Sequence, residues 1–207
     1  MLSSPFFISL LSQPAVVTAA VFILTFAESL ALVGAAVPAT PMLLLLGGLL
    51  AAGTISPYAV IPPALVGAIS GYWVSWILGR RYRSRIYSMK FFARRRRSVA
   101  RVRILTRSYG GLILVVGRYV LGPLQSTVPL VAGAAGMAPS RFHRWNVLSG
   151  VLWVPIVLAP GYLSGKGLIA GQFASVLPWF AALLIAISLI GAVLPIMFDV
   201  FRRATSA

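Results

Sequence analysis

The chain has 207 residues, of which 59% are hydrophobic and only 10% charged, with a mean hydropathy of +0.95 and a formal net charge of +16. A soluble domain rarely combines those values, and several apolar stretches approach the ~20 residues that cross a bilayer, so composition points to one polytopic all-α membrane domain over residues 1–207. With no cysteine, one histidine (His143) and two carboxylates (Glu28 and Asp199), the chain lacks the means for disulfides, thiol nucleophiles, His or Cys metal sites and paired-carboxylate acid–base chemistry.

No catalytic residue, metal or cofactor is therefore expected, and a transporter or scaffold is favoured over an enzyme. The positive charge is concentrated: twelve of the 18 basic residues fall between Arg80 and Arg107. Flanked by apolar spans, such a block marks a cytoplasmic segment on anionic headgroups rather than a nucleic-acid surface.

In chain order, Met1 to Ala27 is apolar and has no Lys or Arg. It lacks the basic start of a signal peptide and is expected to stay in the mature protein. A helix begins at Gln13-Pro14 and ends near Glu28. The next stretch, SLALVGAAVPATPMLLLLGGLLAAG, is interrupted by Pro38 and Pro41. Its limbs are short for a span, so about 29–53 reads as a first re-entrant segment, with one kinked span as the alternative. Pro57 to Gly79 reads as a full span, in which Gly67 and Gly71 permit close helix contact. Tyr72, Trp73 and Trp76 are placed at an interface or in a core.

In the basic segment 80–107, Phe91, Phe92, Val99, Val102 and Leu105 are roughly helically spaced, with Arg94, Arg95, Arg96, Arg97 and Arg101 largely elsewhere. An amphipathic surface helix binding anionic phospholipid fits this pattern, as does a solvated basic loop. About 110–139 reads as a second re-entrant segment: it is apolar, yet carries Arg118 and the breakers Gly122, Pro123 and Pro129. Lipid tolerates broken backbone only where protein or a water-filled cavity surrounds it, and a charge there is a site hypothesis by default. Trp145 to Leu163 is a further span, and about 173–200 the last transmembrane helix, closed by Arg202 and Arg203.

Positive-inside bias places 80–107, Arg141/Arg144 and the C-terminus in the cytoplasm, and 164–172 outside. The crossings between Arg107 and Arg141 are then even in number: a hairpin, or two very short spans. A broken Pro-containing segment, a Gly-rich exit and a span with Ser-Gly and Trp occur in both 38–79 and 123–163, the pattern of an inverted repeat with its site at the meeting point.

The stretch GRYVLGPLQSTVPLVAGAAGMAPSRFHRWNVLSGVLW resembles the signature of the DedA family, also called the SNARE-associated or VTT-domain family. It has the Gly-Arg-aromatic opening, the Gly/Pro turn, Val-Pro-Leu-x-Ala-Gly, a basic-aromatic stretch, an Asn and Gly-x-Leu-Trp. In the first half, FAES, a later Pro, LLLLGGLLAAG and GAISGYWVSWILGRR agree, so the resemblance covers about residues 22–163. It implies two opposed re-entrant hairpins in a cell-membrane protein and, for bacterial members, the return of undecaprenyl phosphate across the membrane. It also implies links to lipid scrambling, proton motive force and envelope homeostasis. Position by position, Glu28, Pro38 and Arg118 match the family pattern. Thr40 stands where many members have a second acid, Gln125 roughly where many have a second arginine, and Tyr72 where many have Asp.

The site expected is a central cavity across which Glu28 and Arg118 face each other. Arg118 offers a planar fork to a lipid phosphate, with backbone amides near Gly122 and the polar side chains of Gln125, Ser126 and Thr127 in support. Glu28 competes for Arg118 and releases it when protonated, which makes it the proton-coupling group. Thr40 and Asn146 are polar supports along the path. The alternative is that Glu28 only ends a helix and Arg118 snorkels to headgroups. His143 reads as a headgroup-level residue, Asp199 as a helical partner of Arg202 and Arg203, and Lys166 as a loop charge.

Three functions are carried forward: a flippase for a polyprenyl phosphate, a proton-coupled carrier of small ions or solutes, and a structural membrane protein docked on anionic lipid. The oligomeric state stays open between monomer and homo-oligomer.

Overall fold

The computed structural model describes residues 13–31, 33–34, 37, 39–88, 104, 110–120 and 125–167. Among them are six helices and no strand: α1 Pro14–Ser29, α2 Ala39–Ala51, α3 Pro57–Ser88, α4 Leu112–Val120, α5 Thr127–Ala134 and α6 Pro139–Gly165. The surface segment with Arg94, Arg95, Arg96, Arg97 and Arg101, the predicted last span at 173–200, and Pro38, Gly122 and Pro123 lie outside the described residues.

α3 from Pro57 to Tyr82 (26 residues) and α6 (27 residues) are long and apolar enough to cross a membrane. At 1.5 Å per residue each spans ~39 Å, beyond the ~30 Å of hydrocarbon. Their outer faces suit lipid. α6 turns Val147, Leu148, Val151, Leu152 and Ile156 outward and buries Asn146 and Ser149, the reverse of a soluble helix. α4 and α5, at nine and eight residues, are far too short to cross.

Proline placement differs from the sequence expectation in an informative way. The sequence pattern places an interruption at Pro41 and puts Pro129 on a limb that follows the break at Gly122-Pro123; each is the third residue of its helix, α2 and α5. The N–H that proline lacks is one of the four that a helix start leaves unbonded anyway. Both prolines therefore open a returning limb, and the breaks fall just before them. Pro155 and Pro160 are held inside α6, and Pro139 opens that helix, so Arg141 and Arg144 belong to its first turns.

The two halves follow one plan. α2 and α5 each end in a left-handed glycine, Gly53 (φ 71°) and Gly136 (φ 82°). In both, the amide after the glycine reaches back to a carbonyl five residues earlier: Thr54 to Leu49 and Met137 to Ala132, each at 3.1 Å. This is the Schellman cap, which satisfies carbonyls that the helix end would leave bare. A proline then opens the long helix, Pro57 in one half and Pro139 in the other.

Pairing between helices repeats as well. Within each half, the first limb packs along its own long helix, α1 on α3 and α4 on α6, while the second limb crosses over, α2 onto α6 and α5 onto α3. Direction follows from register. Gly67 meets Phe22 to Phe26, and Gly71 meets Phe26 and Ser29, so α1 and α3 run the same way. Gly111 meets Trp145, and the Ser149 hydroxyl donates to the Leu114 carbonyl, so α4 and α6 do too. By contrast, Trp76 stacks on Phe142 while the Ile69 carbonyl accepts from Asn146, so α3 and α6 run oppositely.

Small residues set these distances. Gly67, Gly71, Ser75 and Gly79 recur every four residues along α3 and lay one face against α1 and α5. Gly47 and Gly161 bring the α2 and α6 backbones together, where a Cβ on either would overlap carbonyl oxygen. Two apolar cores result. One joins Tyr72, Trp76, Leu114, Val128, Val131 and Phe142; the other joins Val21, Leu43, Val60, Trp153, Val154 and Leu158.

Candidate functional site

The site lies at the seam between those cores, where the two breaks meet. Gly34, in the first break, abuts the Glu28 carbonyl and the Ser126 side chain, so the segments touch. The first break is fastened by Ser75, which accepts from the Ala31 amide at 2.8 Å and faces the Ser29 carbonyl at 3.2 Å. Glu28 and Ser29 close α1, Arg118 sits near the end of α4, and Ser126 precedes α5. A short helix that stops within the protein thus delivers each charge to the middle.

α4 shows how strongly the fold commits Arg118. Its outward face carries Leu112, Val116 and Tyr119, whereas Ile113, Leu114 and Arg118 point inward and are buried. A snorkelling arginine would lie on the opposite face.

Glu28, Ser29, Tyr72, Arg118, Gln125 and Trp153 line one crevice of about 160 Å³, nowhere wide enough to seat a ligand in this conformation. Glu28 Oε1 accepts from Thr40 Oγ1 at 2.8 Å and from Gln125 Nε2 at 3.2 Å. Gln125 lies on the other half, 97 residues away. Arg118 Nη2 donates to the Ala68 carbonyl at 3.1 Å. Its Cζ sits over the Tyr72 ring at 3.9 Å and the Trp153 ring at 5.2 Å. The Tyr72 hydroxyl donates to the Gln125 carbonyl at 3.1 Å. Glu28 Oε2, Arg118 Nε and Ser126 Oγ are buried without hydrogen-bond partners.

Of the residues read from sequence, Glu28, Arg118, Gln125, Ser126 and Thr40 come together here, and Thr127, buried, follows Ser126 as the first residue of α5. Glu28 and Arg118 share the crevice, but among the described residues no ion pair joins them: the carboxylate is held by Thr40 and Gln125, the guanidinium by a carbonyl and two rings. Asn146 is fully buried and binds the Ile69 carbonyl at 2.9 Å, at the α3–α6 crossing rather than among the residues lining the crevice. His143 is exposed in a ring cluster with Trp73, Trp76 and Phe142. Among the described residues no group of His, Cys, Asp and Glu could hold a metal.

Sequence reasoning missed Tyr72 and Trp153 as site residues. The signal available was spacing: Tyr72 follows Ala68 by one helical turn, and the two together hold Arg118 from the same helix.

The model of the VTT domain matches residues 37–163, well over half of the chain. The chain belongs to the VTT-domain, or DedA, family of membrane proteins. The VTT match covers α2 to α6 and both long helices, with Thr40, Arg118 and Gln125 inside it and Glu28 just before it. The chain is 30% identical over 160 residues to the inner membrane protein YabI of Escherichia coli (strain K12), covering 74% of this chain and 63% of that protein. It is 31% identical over 146 residues to the inner membrane protein YqjA of the same strain, covering 70% and 66%. A match at 29% over 143 residues to an uncharacterized membrane protein of Buchnera aphidicola subsp. Schizaphis graminum covers 69% and 56%. The matched region thus spans between just over half and about two thirds of these relatives' length. No solved structure matches the chain.

Proposed function

We propose that this VTT-domain chain is a transporter, not an enzyme, that moves a polyprenyl phosphate such as undecaprenyl phosphate across the cytoplasmic membrane, with Glu28 coupling the movement to protons. The observation that carries the reading is the convergence of both broken segments on one buried arginine and one buried carboxylate. Each charge alone in hydrocarbon costs several kcal/mol, so a purely structural protein gains little by keeping them there. Arg118 is the phosphate ligand, because its fork matches phosphate oxygens. Ser126 Oγ and Arg118 Nε, buried and unpartnered, add donors. In this reading Gln125 and Thr127 are polar support and a backbone amide at Gly122 is a further donor. Glu28, in the same crevice, repels an entering phosphate while it is charged, and its protonation removes that repulsion.

Architecture supports the same reading. Short limbs, paired caps and long helices of opposite direction suit two opposed re-entrant hairpins, related by an axis in the membrane plane. The crevice is too tight to admit a headgroup, so the hairpins part during transport. The names of YabI and YqjA as inner membrane proteins agree with a cytoplasmic-membrane location. Arg94, Arg95, Arg96, Arg97 and Arg101 then lie on anionic phospholipid at the cytoplasmic face.

Reconstitution tests the proposal. Liposomes loaded with a polyprenyl phosphate should show protein-dependent movement of the phosphate between leaflets, accelerated by an imposed pH gradient in wild type but not in Glu28→Gln. Ion or solute flux without lipid movement would replace the reading with a small-solute carrier. Neither activity from folded protein would leave a structural role.

A further inference from the structure

A buried guanidinium must be compensated, and here no carboxylate among the described residues forms an ion pair with it, although Glu28 shares its crevice. Two rings do: Tyr72 at 3.9 Å and Trp153 at 5.2 Å from the Arg118 Cζ. Both are buried, at 1% and 3% exposure. They come from different long helices, α3 and α6, and from the two different cores. The distinction from a salt bridge is chemical. A carboxylate neutralises arginine by filling its fork, the same fork a phosphate needs. A ring face attracts the cation through its quadrupole and takes up no N–H of the fork. The hydrogen bonds agree: Nη2 goes to the Ala68 carbonyl, and Nε is left with no partner. The Tyr72 ring is held in place through its hydroxyl, which donates to the Gln125 carbonyl.

We propose that Tyr72 and Trp153 act together as a neutral counter-ion for Arg118, holding the guanidinium at the seam while leaving its Nε edge free for a phosphoryl oxygen. This rests on the reading that Arg118 receives a lipid phosphate. Both rings are positioning residues that act through Arg118. An entering phosphate finds the Nε edge unbonded, because Glu28 hydrogen-bonds Thr40 and Gln125 and makes no ion pair with Arg118 among the described residues. The rings thereby set specificity: an anionic headgroup gains affinity from the held fork, and a neutral one gains none.

The test is binding of farnesyl phosphate, with farnesol as the uncharged control, to the full chain in detergent. Tyr72→Leu and Trp153→Leu should each weaken farnesyl phosphate about tenfold and leave farnesol unchanged. Tyr72→Phe and Trp153→Phe should recover most of that loss. A series of increasingly fluorinated phenylalanines at position 72 keeps the ring's shape and removes its quadrupole, so affinity and melting temperature should fall stepwise. The proposal is overturned if the Leu variants bind farnesyl phosphate like wild type, if the Phe variants are as weak as the Leu variants, or if the fluorinated series is flat. Should Arg118→Ala bind farnesyl phosphate like wild type, the phosphate reading fails. Melting across the fluorinated series then still decides whether the rings carry the arginine's charge.

Discussion

Glu28 places both of its hydrogen bonds on one oxygen, Oε1, and leaves Oε2 without a partner. Removing a donor from a buried carboxylate leaves its desolvation cost uncompensated. Thr40→Val and Gln125→Leu should therefore each lower stability by about 1–3 kcal/mol, read as a drop in melting temperature in detergent. Glu28→Gln keeps an acceptor for both donors and should melt nearer to wild type than either. The reverse ranking would mean that Thr40 and Gln125 do not hold the carboxyl. These residues also show what sequence made legible. Glu28, Thr40, Arg118 and Gln125 stood out as polar groups in apolar surroundings, or through the resemblance. That Thr40 and Gln125 converge on Glu28 did not, because the contacts join residues 12 and 97 positions apart across two breaks. Tyr72 was marked in sequence only as standing where many family members have Asp, and Trp153 only as part of an apolar span; that both rings meet Arg118 emerged from packing.

At the scale of elements, glycine contacts govern how the short helices sit on the long ones. Gly47 and Gly48 are neighbours with opposite prospects. A Cβ at Gly47 would overlap the Leu158 carbonyl, while one at Gly48 would meet nothing closer than the Gly161 carbonyl at 3.8 Å. Gly47→Ala should part α2 from α6 and lower the melting temperature. Gly48→Ala should be neutral, or stabilising by up to ~1 kcal/mol from the helix preference for alanine. Equal effects would show that α2 does not face α6 through Gly47. The long helices were legible because their apolar runs exceed the span length, and α1 because its start at Pro14 and end near Glu28 are marked. Proline misled at Pro41: sequence shows a missing N–H but not whether a helix needs one there, and in a first turn it does not.

For the whole molecule, the opposite run of α3 and α6, the shared caps and the crossed pairing of limbs make the two halves alike in plan though dissimilar in residue identity. The topology proposed from charge then fixes which ends face which side. Thr54, Lys166, Arg81 and Ser140 are all exposed; in that proposed topology the first two, at the start of α3 and the end of α6, face outside and the other two face the cytoplasm. Because the chain has no cysteine, single Cys replacements report cleanly. Thr54→Cys and Lys166→Cys should react with a membrane-impermeant maleimide added outside intact cells, and Arg81→Cys and Ser140→Cys only after lysis. The likeness of the two halves was faint in sequence because it is carried by a proline, a cap glycine and spacing, not by shared side chains.

The most direct measurement is the rate at which a polyprenyl phosphate crosses the bilayer of liposomes holding wild type, Arg118→Lys or Arg118→Ala. The account predicts rapid movement with wild type. Arg118→Lys, which keeps the charge and loses the fork, should fall at least tenfold, and Arg118→Ala should match protein-free liposomes. Movement by folded Arg118→Ala at the wild-type rate would contradict it.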